Sequence, residues 1–347
     1  MPGVTKEIKC VVWDLDETIW NGILLEKDNV QLKTDIIKTL QTLDSRGILN
    51  SIASRNDYDT AMAKLDEFDI RKFFLYPQIG WDAKSVSIGR IQKNLNFGID
   101  TFLFIDDQQF ERDEVQSVYP DVLCLNASEY DHMLTADYLN PRFITQDSAR
   151  RRMMYQADIK RNQIEEKFKG PNEVFLSSLE MKFTISLALE EDLKRAEELT
   201  VRTNQLNATA ITYDYDELNK FRTSKNHKLL ICELKDKYGT YGKIGLALIE
   251  MHAEYWHLKL LLMSCRVMAR GVGTVLLSYI MNEAKREGKQ LRADFRKTDR
   301  NRMMYISYKM ANFKEKKCNE NNGYILFEND LSMIQNFPDY IQLVIDE

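Results

Sequence analysis

Two carboxylates one residue apart, Asp14 and Asp16, follow the apolar run Val11-Val12-Trp13, and a hydroxyl, Thr18, stands just beyond them. Alternate residues of a strand point to the same side. A turn after Trp13 therefore crowns the carboxyl end of a buried strand with both acids, which is where open α/β sheets bind ligands. Such a cluster costs energy unless a cation or protons neutralise it, and oxygen donors of this kind suit Mg²⁺. A second acidic pair, Asp106-Asp107, ends the run Thr101-Phe102-Leu103-Phe104-Ile105. Between them in sequence, Ser54 closes a second strand-like run, where a hydroxyl can donate to a phosphate oxygen. Lys84 opens a helix, against the preference of cations for the other end, and is explained if it neutralises a phosphoryl group. The economical reading is a divalent metal held by Asp14, Asp106 and the main-chain carbonyl of Asp16, with Asp107 orienting the site. Taken singly, each residue has a plainer reading: an acidic turn, a turn serine, a solvated surface lysine.

The elements that must position these residues alternate. Ile8–Trp13 reads as a short buried strand, and Ile36, Ile37, Leu40 and Leu43 fall at helical spacing before Gly47. A strand over Ile48–Ala53 leads to Ser54, and a helix follows with Tyr58, Ala61, Met62 and Leu65 on one face. Phe73–Tyr76 is strand-like, the helix from Lys84 carries Val86, Ile88, Ile91 and Leu95, and Val122–Leu125 adds a last strand. Alternating strands and helices call for a parallel, doubly wound sheet. The segments after Asp16 and between Ser54 and Lys84 are too short for a large cap domain, so the site is expected to be open to a large substrate.

The second half is patterned differently. Residues 127–173 read as a polar, helical linker, basic from Arg150 onward, with Gly170-Pro171 at its end. Met181, Phe183, Ile185 and Leu187 alternate as in a half-buried strand, and Asp192–Arg202 forms a helix. Strands near Leu229–Leu234, Lys243–Met251 and Trp256–Met263 make an antiparallel meander, the first two joined by a turn at Tyr238-Gly239-Thr240-Tyr241-Gly242. Then come Arg266, Arg270, Gly271, Gly273 and Thr274, opening a helix over Val275–Lys285. Glycines at a helix start let backbone N–H groups and the dipole meet an anion. Cys265 stands beside this loop and next to Arg266. Positive charge favours a thiolate, so a reactive thiol and a buried strand-end cysteine are both open readings. A polar loop over Lys314–Asn322 and a closing strand over Gly323–Phe327 complete the pattern.

Composition bounds the function. The 347 residues suffice for two domains, with 44% hydrophobic and 29% charged residues. A net charge of −5 gives no support to nucleic-acid binding. No apolar run approaches the ~20 residues of a membrane span, and Met1–Glu7 has no signal-peptide pattern. Five scattered cysteines and four separated histidines suggest neither disulfides nor zinc, and point to a reduced, cytoplasmic setting.

The acidic motif, Ser54, Lys84 and Asp106-Asp107 together resemble the four motifs of the haloacid-dehalogenase (HAD) superfamily. The glycine loop and helix resemble the diphosphate loop of GNAT-type acyltransferases. Over nearly the whole chain, the sequence resembles the FkbH family, HAD-type phosphatase-like domains with a GNAT-like second domain. That resemblance rests also on Arg202-Thr203-Asn204-Gln205-Leu206-Asn207 and on Met263 to Gly271. Glu17, Asn21, Arg55, Thr240 and Ala269 depart from the residues common in that family. The resemblance implies a HAD-like domain over residues 1–126, the linker over 127–173, and a GNAT-like α+β domain over 174–347. It also implies Mg²⁺ and transfer of a glyceryl group from 1,3-bisphosphoglycerate to an acyl carrier protein supplied in trans, as in polyketide assembly. Asp14 would attack phosphorus and Asp16 act as acid and base. Thr18, Ser54, Arg55 and Lys84 would bind the phosphoryl group, and Cys265 or the carrier's own thiol would take the acyl group. A phosphatase with an accessory domain and an acetyl-CoA-dependent acyltransferase of surface-sugar synthesis are the competing readings.

Overall fold

The computed structural model describes residues 7–26, 29–130, 132–319 and 323–346. Residues 1–6 and 320–322, and the side chain of Cys318, lie outside the described residues, and with them the reading of the amino terminus. The chain forms two compact units, Met1–Gln156 and Ala157–Glu347.

In the first unit, β1 (Cys10–Trp13) is fully buried. A short ribbon, β2 (Trp20–Asn21) and β3 (Gln31–Leu32), follows it. The alternation continues through α1 (Ile36–Ser45), β4 (Leu49–Ser54), α2 (Tyr58–Glu67), β5 (Gln78–Ile79), α3 (Lys84–Leu95), β6 (Phe102–Asp106), α4 (Gln109–Val118) and β7 (Leu123–Asn126). The sheet has the order β5-β4-β1-β6-β7, with every pairing parallel. The central strands β4, β1 and β6 are buried along their whole length, and β1 and β6 up to Ile105 are apolar rather than alternating, as buried parallel strands are. α1 buries Ile36, Thr39, Leu40 and Leu43, a single face at helical spacing. It ends at Gly47 (φ 74°), where a Cβ would lie 2.9 Å from the Ser148 backbone. The region 73–76 is not a strand. Arg71–Phe73 is a 3₁₀ turn, Phe74 makes one bridge to Asn50, and pairing with β4 resumes only at Gln78.

Residues 127–156 pack into this unit. Arg46 Nη1 donates to the carbonyls of Leu134 and Leu139, both at 2.9 Å, and Arg152 pairs with Asp44 at 2.9 Å. α5 (Gln146–Ala149) precedes α6 (Arg151–Lys167), within which the division between the units falls.

The second unit contains α7 (Asn172–Ser178), β8 (Met181–Leu187), α8 (Leu193–Arg202), α9 (Tyr215–Thr223), β9 (His227–Asp236), β10 (Gly239–Met251) and β11 (Tyr255–Met263). After these come α10 (Val272–Arg286), β12 (Gln290–Arg296), α11 (Arg302–Met310), β13 (Lys314–Asn319), β14 (Tyr324–Asn329) and β15 (Ile341–Asp346). They make an eight-stranded mixed sheet in the order β13-β14-β12-β11-β10-β9-β8-β15. α8 and α9 cover one face through Leu193, Ala196, Leu199 and Leu218. α10 and α11 cover the other, where α10 buries Val275, Leu276, Leu277, Ile280 and Met281. Each such side chain contributes ~1.5–3 kcal/mol over exposure.

β11 and β12 are parallel only from Tyr255 to Leu258, paired with Gln290 to Ala293, and then diverge. The polar segment ending in Leu206-Asn207 fills the gap. Met263 N donates to Leu206 O (2.8 Å), Ala208 N to Leu261 O (2.9 Å) and Arg296 N to Ala208 O (2.9 Å). Asn301 Nδ2 locks the insert through Asn207 O at 3.0 Å and Arg296 O at 2.9 Å.

Three sequence expectations change here. The turn between β9 and β10 is Lys237-Tyr238, while Gly239 to Gly242 belong to a bulged start of β10. Lys314–Asn319 is a strand rather than a loop, its charges suiting the sheet edge. The chain does not close at β14, because β15 adds a parallel edge to β8. Among the described residues no helix is long and apolar enough to cross a membrane.

Arg161 on α6 is buried and holds Asp236 through Nε at 2.7 Å and Nη2 at 2.8 Å, with its guanidinium 3.8 Å from the Tyr241 ring centre. Removing one partner of a buried pair strands the other's charge. Arg161→Ala is expected to cost roughly 3–5 kcal/mol in urea unfolding, and Asp236→Asn in the same chain to recover part of it. Purely additive losses would show that the pair is not coupled.

Candidate functional site

The parallel register places the acids side by side. Trp13 lies opposite Ile105, so Asp14 and Asp106 leave adjacent strands together at their carboxyl ends. Asp14 N still donates to Ile105 O (2.9 Å). Asp14, Asp106 and Lys84 are all buried. Lys84 Nζ contacts Asp14 Oδ1, stands 3.0 Å from Asp106 Oδ2, and donates to Ala53 O at 2.8 Å. Burial alone would lower the Lys84 pKa, but Asp14 and Asp106 outweigh it and raise it, so the ammonium persists.

One ammonium does not balance this site. Ligand oxygens of Asp14, Asp106 and Asp107 lie within 4.8 Å of one another. Burial, and then the charge of Asp14, push Asp106 up to about 6 and also raise Asp107. Asp107 Oδ1 is buried without a hydrogen-bond partner. Three converging carboxylates, one with an orphaned oxygen, fit a hard divalent cation. Asp107 thus belongs to the converging set, not only to its surroundings.

The Asp16 carboxylate is engaged elsewhere. It accepts from Trp20 Nε1 (2.8 Å), Leu24 N (3.1 Å) and Asn56 Nδ2 (3.1 Å). Burial, with a smaller contribution from Asp14, nonetheless raises its pKa, which suits a group that must carry a proton. Ser54 is buried at the end of β4, and Thr18 is buried with its hydroxyl unpartnered. Arg55 is partly exposed and bound to Glu111 at 3.0 Å. Arg112 Nη1 donates to Asp106 O at 2.6 Å and so steadies the strand end. The sequence alone assigns no work to Asn56, Glu111, Arg112 or Trp20. Their polar contacts cross between elements, so no spacing rule exposes them.

In the second unit, Gly271 (φ 78°), Gly273 and Thr274 come together at the start of α10 beside a cavity of about 170 Å³. Met263, Met268, Met281, Met303, Met304 and Met310 line much of the rest. A Cβ at Gly273 would meet nothing within 4 Å, so the helix start is open there, whereas one at Gly271 would lie 2.7 Å from the Tyr340 hydroxyl. Arg270 is not part of this lining. It is buried, with Nη2 3.2 Å from Glu165 and its guanidinium over Phe175. Arg266 is likewise outside the lining and lies electrostatically near Asp158. Cys265 is exposed at the head of the 3₁₀ segment Cys265–Arg270.

No family model matches the chain, and no curated protein matches it. Among solved structures it is similar to the N-terminal part of the protein BF1531 from Bacteroides fragilis, which contains a phosphatase domain complexed with Mg. That similarity has 26% identity and a TM-score of 0.33, covering 39% of this chain and 40% of that one. The chain therefore spans less than half of that structure's length. It is also similar to the ribosomal-protein-S18-alanine N-acetyltransferase of Escherichia coli, with 17% identity, a TM-score of 0.34, and 44% and 96% coverage. An N-acetyltransferase from Staphylococcus aureus Mu50 gives 17% identity, a TM-score of 0.32, and 43% and 99% coverage.

If the carboxylate cluster takes a divalent cation, adding Mg²⁺ to chelator-treated protein raises the melting temperature. About 2.7 kcal/mol is gained at a hundredfold excess over Kd. Asp106→Asn is expected to abolish that response, as measured by scanning calorimetry.

Proposed function

We propose that the chain is a Mg²⁺-dependent transferase that dephosphorylates a three-carbon acyl group and loads it as a thioester onto an acyl carrier protein. The observation that carries this reading is the convergence of Asp14, Lys84, Asp106 and Asp107 at the carboxyl ends of parallel strands, with Ser54 buried at the end of the neighbouring strand and Thr18 buried in the turn that follows β1. The resemblance to the FkbH family supplies the substrate, 1,3-bisphosphoglycerate, and the carrier.

Asp14, Asp106 and Asp107 would hold the cation, which when bound neutralises charge on the phosphoryl oxygens. The Asp14 carboxylate attacks phosphorus, the ester P–O bond breaks, and Asp16 gives its proton to the departing alkoxide. Ser54, Thr18 and Lys84 stabilise the phosphoryl oxygens in flight. Water then cleaves the aspartyl phosphate as Asp16 takes back a proton.

The acyl phosphate end is already activated and needs no ATP. A thiolate attacks its carbonyl, the C–O bond to phosphate breaks, and inorganic phosphate departs. Cys265 is the assigned thiol, and its exchange with the pantetheine thiol of the carrier completes the transfer. The open start of α10, with Gly271, Gly273 and Thr274 against the cavity, supports docking of a phosphopantetheine arm.

The test takes intact masses after incubation with Mg²⁺, 1,3-bisphosphoglycerate generated in situ and pantetheinylated carrier. A glyceryl adduct on the carrier is expected with wild type and a phosphoglyceryl adduct with Asp14→Asn. Asp16→Asn should slow phosphate release by roughly 10²–10⁴-fold. Loss of the carrier adduct in Cys265→Ala assigns the thiol, and its retention moves the attack to the carrier. Asp14-dependent phosphate release from other esters, with no adduct on either protein, makes the chain a phosphatase with an accessory domain.

A further inference from the structure

The β10–β11 hairpin carries a cluster that the reactions above do not use. Glu250 and His257 are direct cross-strand partners. His252 lies in the connection, its N–H donating to Tyr255 O at 2.9 Å. The phase of the strands turns all three side chains to one face of the sheet. One ligand atom from each of Glu250, His252 and His257 lies within 4.8 Å of the other two, and all three residues are half-buried. His252 Nε2 is 3.5 Å from Glu250 Oε1, and its ring stacks on Tyr255 with centroids 4.5 Å apart.

The histidine on β11 is oriented from behind. His257 Nε2 is 2.6 Å from Asp294 Oδ1 on β12. Asp294 is buried, with Lys259 Nζ 2.7 Å from its Oδ2 and the Tyr324 hydroxyl donating to its Oδ1. A carboxylate held by an ammonium and a hydroxyl donor only accepts, so the proton belongs on Nε2. Nδ1 then presents its lone pair. A carboxylate behind a histidine is how ligating imidazoles are commonly fixed in tautomer and direction.

We propose that Glu250, His252 and His257 form a second metal site, for a transition cation of the zinc class. Two imidazoles and one carboxylate suit zinc and leave a fourth position open. Imidazole donors also separate it from the first unit's cluster, whose all-oxygen donors suit Mg²⁺. The site does not depend on the proposed transferase reaction.

Chelator-treated full-length protein, titrated calorimetrically with Zn²⁺ in excess Mg²⁺, is expected to take up one equivalent. Uptake should survive Asp14→Asn and weaken at least about tenfold in His252→Ala and His257→Ala. Asp294→Asn should weaken it by roughly 10–100-fold without changing the stoichiometry. Melting curves in chelator show whether each variant folds. Should His257→Ala fail, His252→Ala in the connecting turn decides. No uptake over Mg²⁺, or uptake unchanged in His252→Ala, overturns the proposal.

Discussion

Like charges gathered in a buried place constrain the first unit more than any other feature. Asp14, Asp106 and Asp107 converge at strand ends, with Lys84 as the buried cation among them. Separated carboxylates in water would be more stable. The arrangement persists because the surrounding packing leaves no alternative: Trp13 and Ile105 are in register, both strands are fully buried, and Trp13 Nε1 is tied to Asn50 at 2.9 Å. Stability there comes from the apolar strands, and the acids at their ends draw on it. That is why the order β5-β4-β1-β6-β7 matters: it makes β1 and β6 neighbours and puts Ser54 at the end of the strand on the other side.

In the second unit the corresponding constraint is a gap. Two parallel strands that part after four residue pairs leave backbone donors and acceptors to satisfy. The chain closes the gap with its own Leu206–Ala208, fastened by Asn301. One face of the unit then carries the methionine-lined cavity beside α10, and the hairpin beyond carries the histidines. Methionine suits such a lining, since its flexible thioether adapts to varied occupants.

The first unit was largely legible because buried parallel strands are continuous apolar runs and each ended in a polar signal: Asp14, Ser54, Asp106. What escaped was set by tertiary context. β13 is too charged to read as a strand and exists because β14 offers an edge. β15 pairs with a strand far away in sequence, so no local turn announces it. Phe73–Tyr76 looked like a strand through its aromatic residues, yet it makes one isolated bridge at Phe74 and continuous pairing starts only after Pro77. The contacts of the basic residues beside the glycine loop were not legible either: Arg270 faces Glu165 and Phe175, with its Nη1 buried and unpartnered. Scattered histidines gave no metal spacing, because Glu250 and His257 meet only across the hairpin.

The two proposed chemistries demand opposite electrostatic surroundings. Phosphoryl transfer at Asp14 needs carboxylates around a cation. Acyl transfer needs a thiolate, which nearby carboxylates would suppress. Cys124 illustrates the conflict: burial pushes its thiol up to about 12, and Asp106 and Asp113 add to the shift against Arg112. That thiol is thereby held in its protonated form, in the unit that carries the acidic cluster. Cys265 instead stands exposed, next to Arg266 and just before the start of α10. A chain that must both strip a phosphate and form a thioester therefore gains from two separately folded units, because a single site cannot be acidic enough for the cation and basic enough for the thiolate.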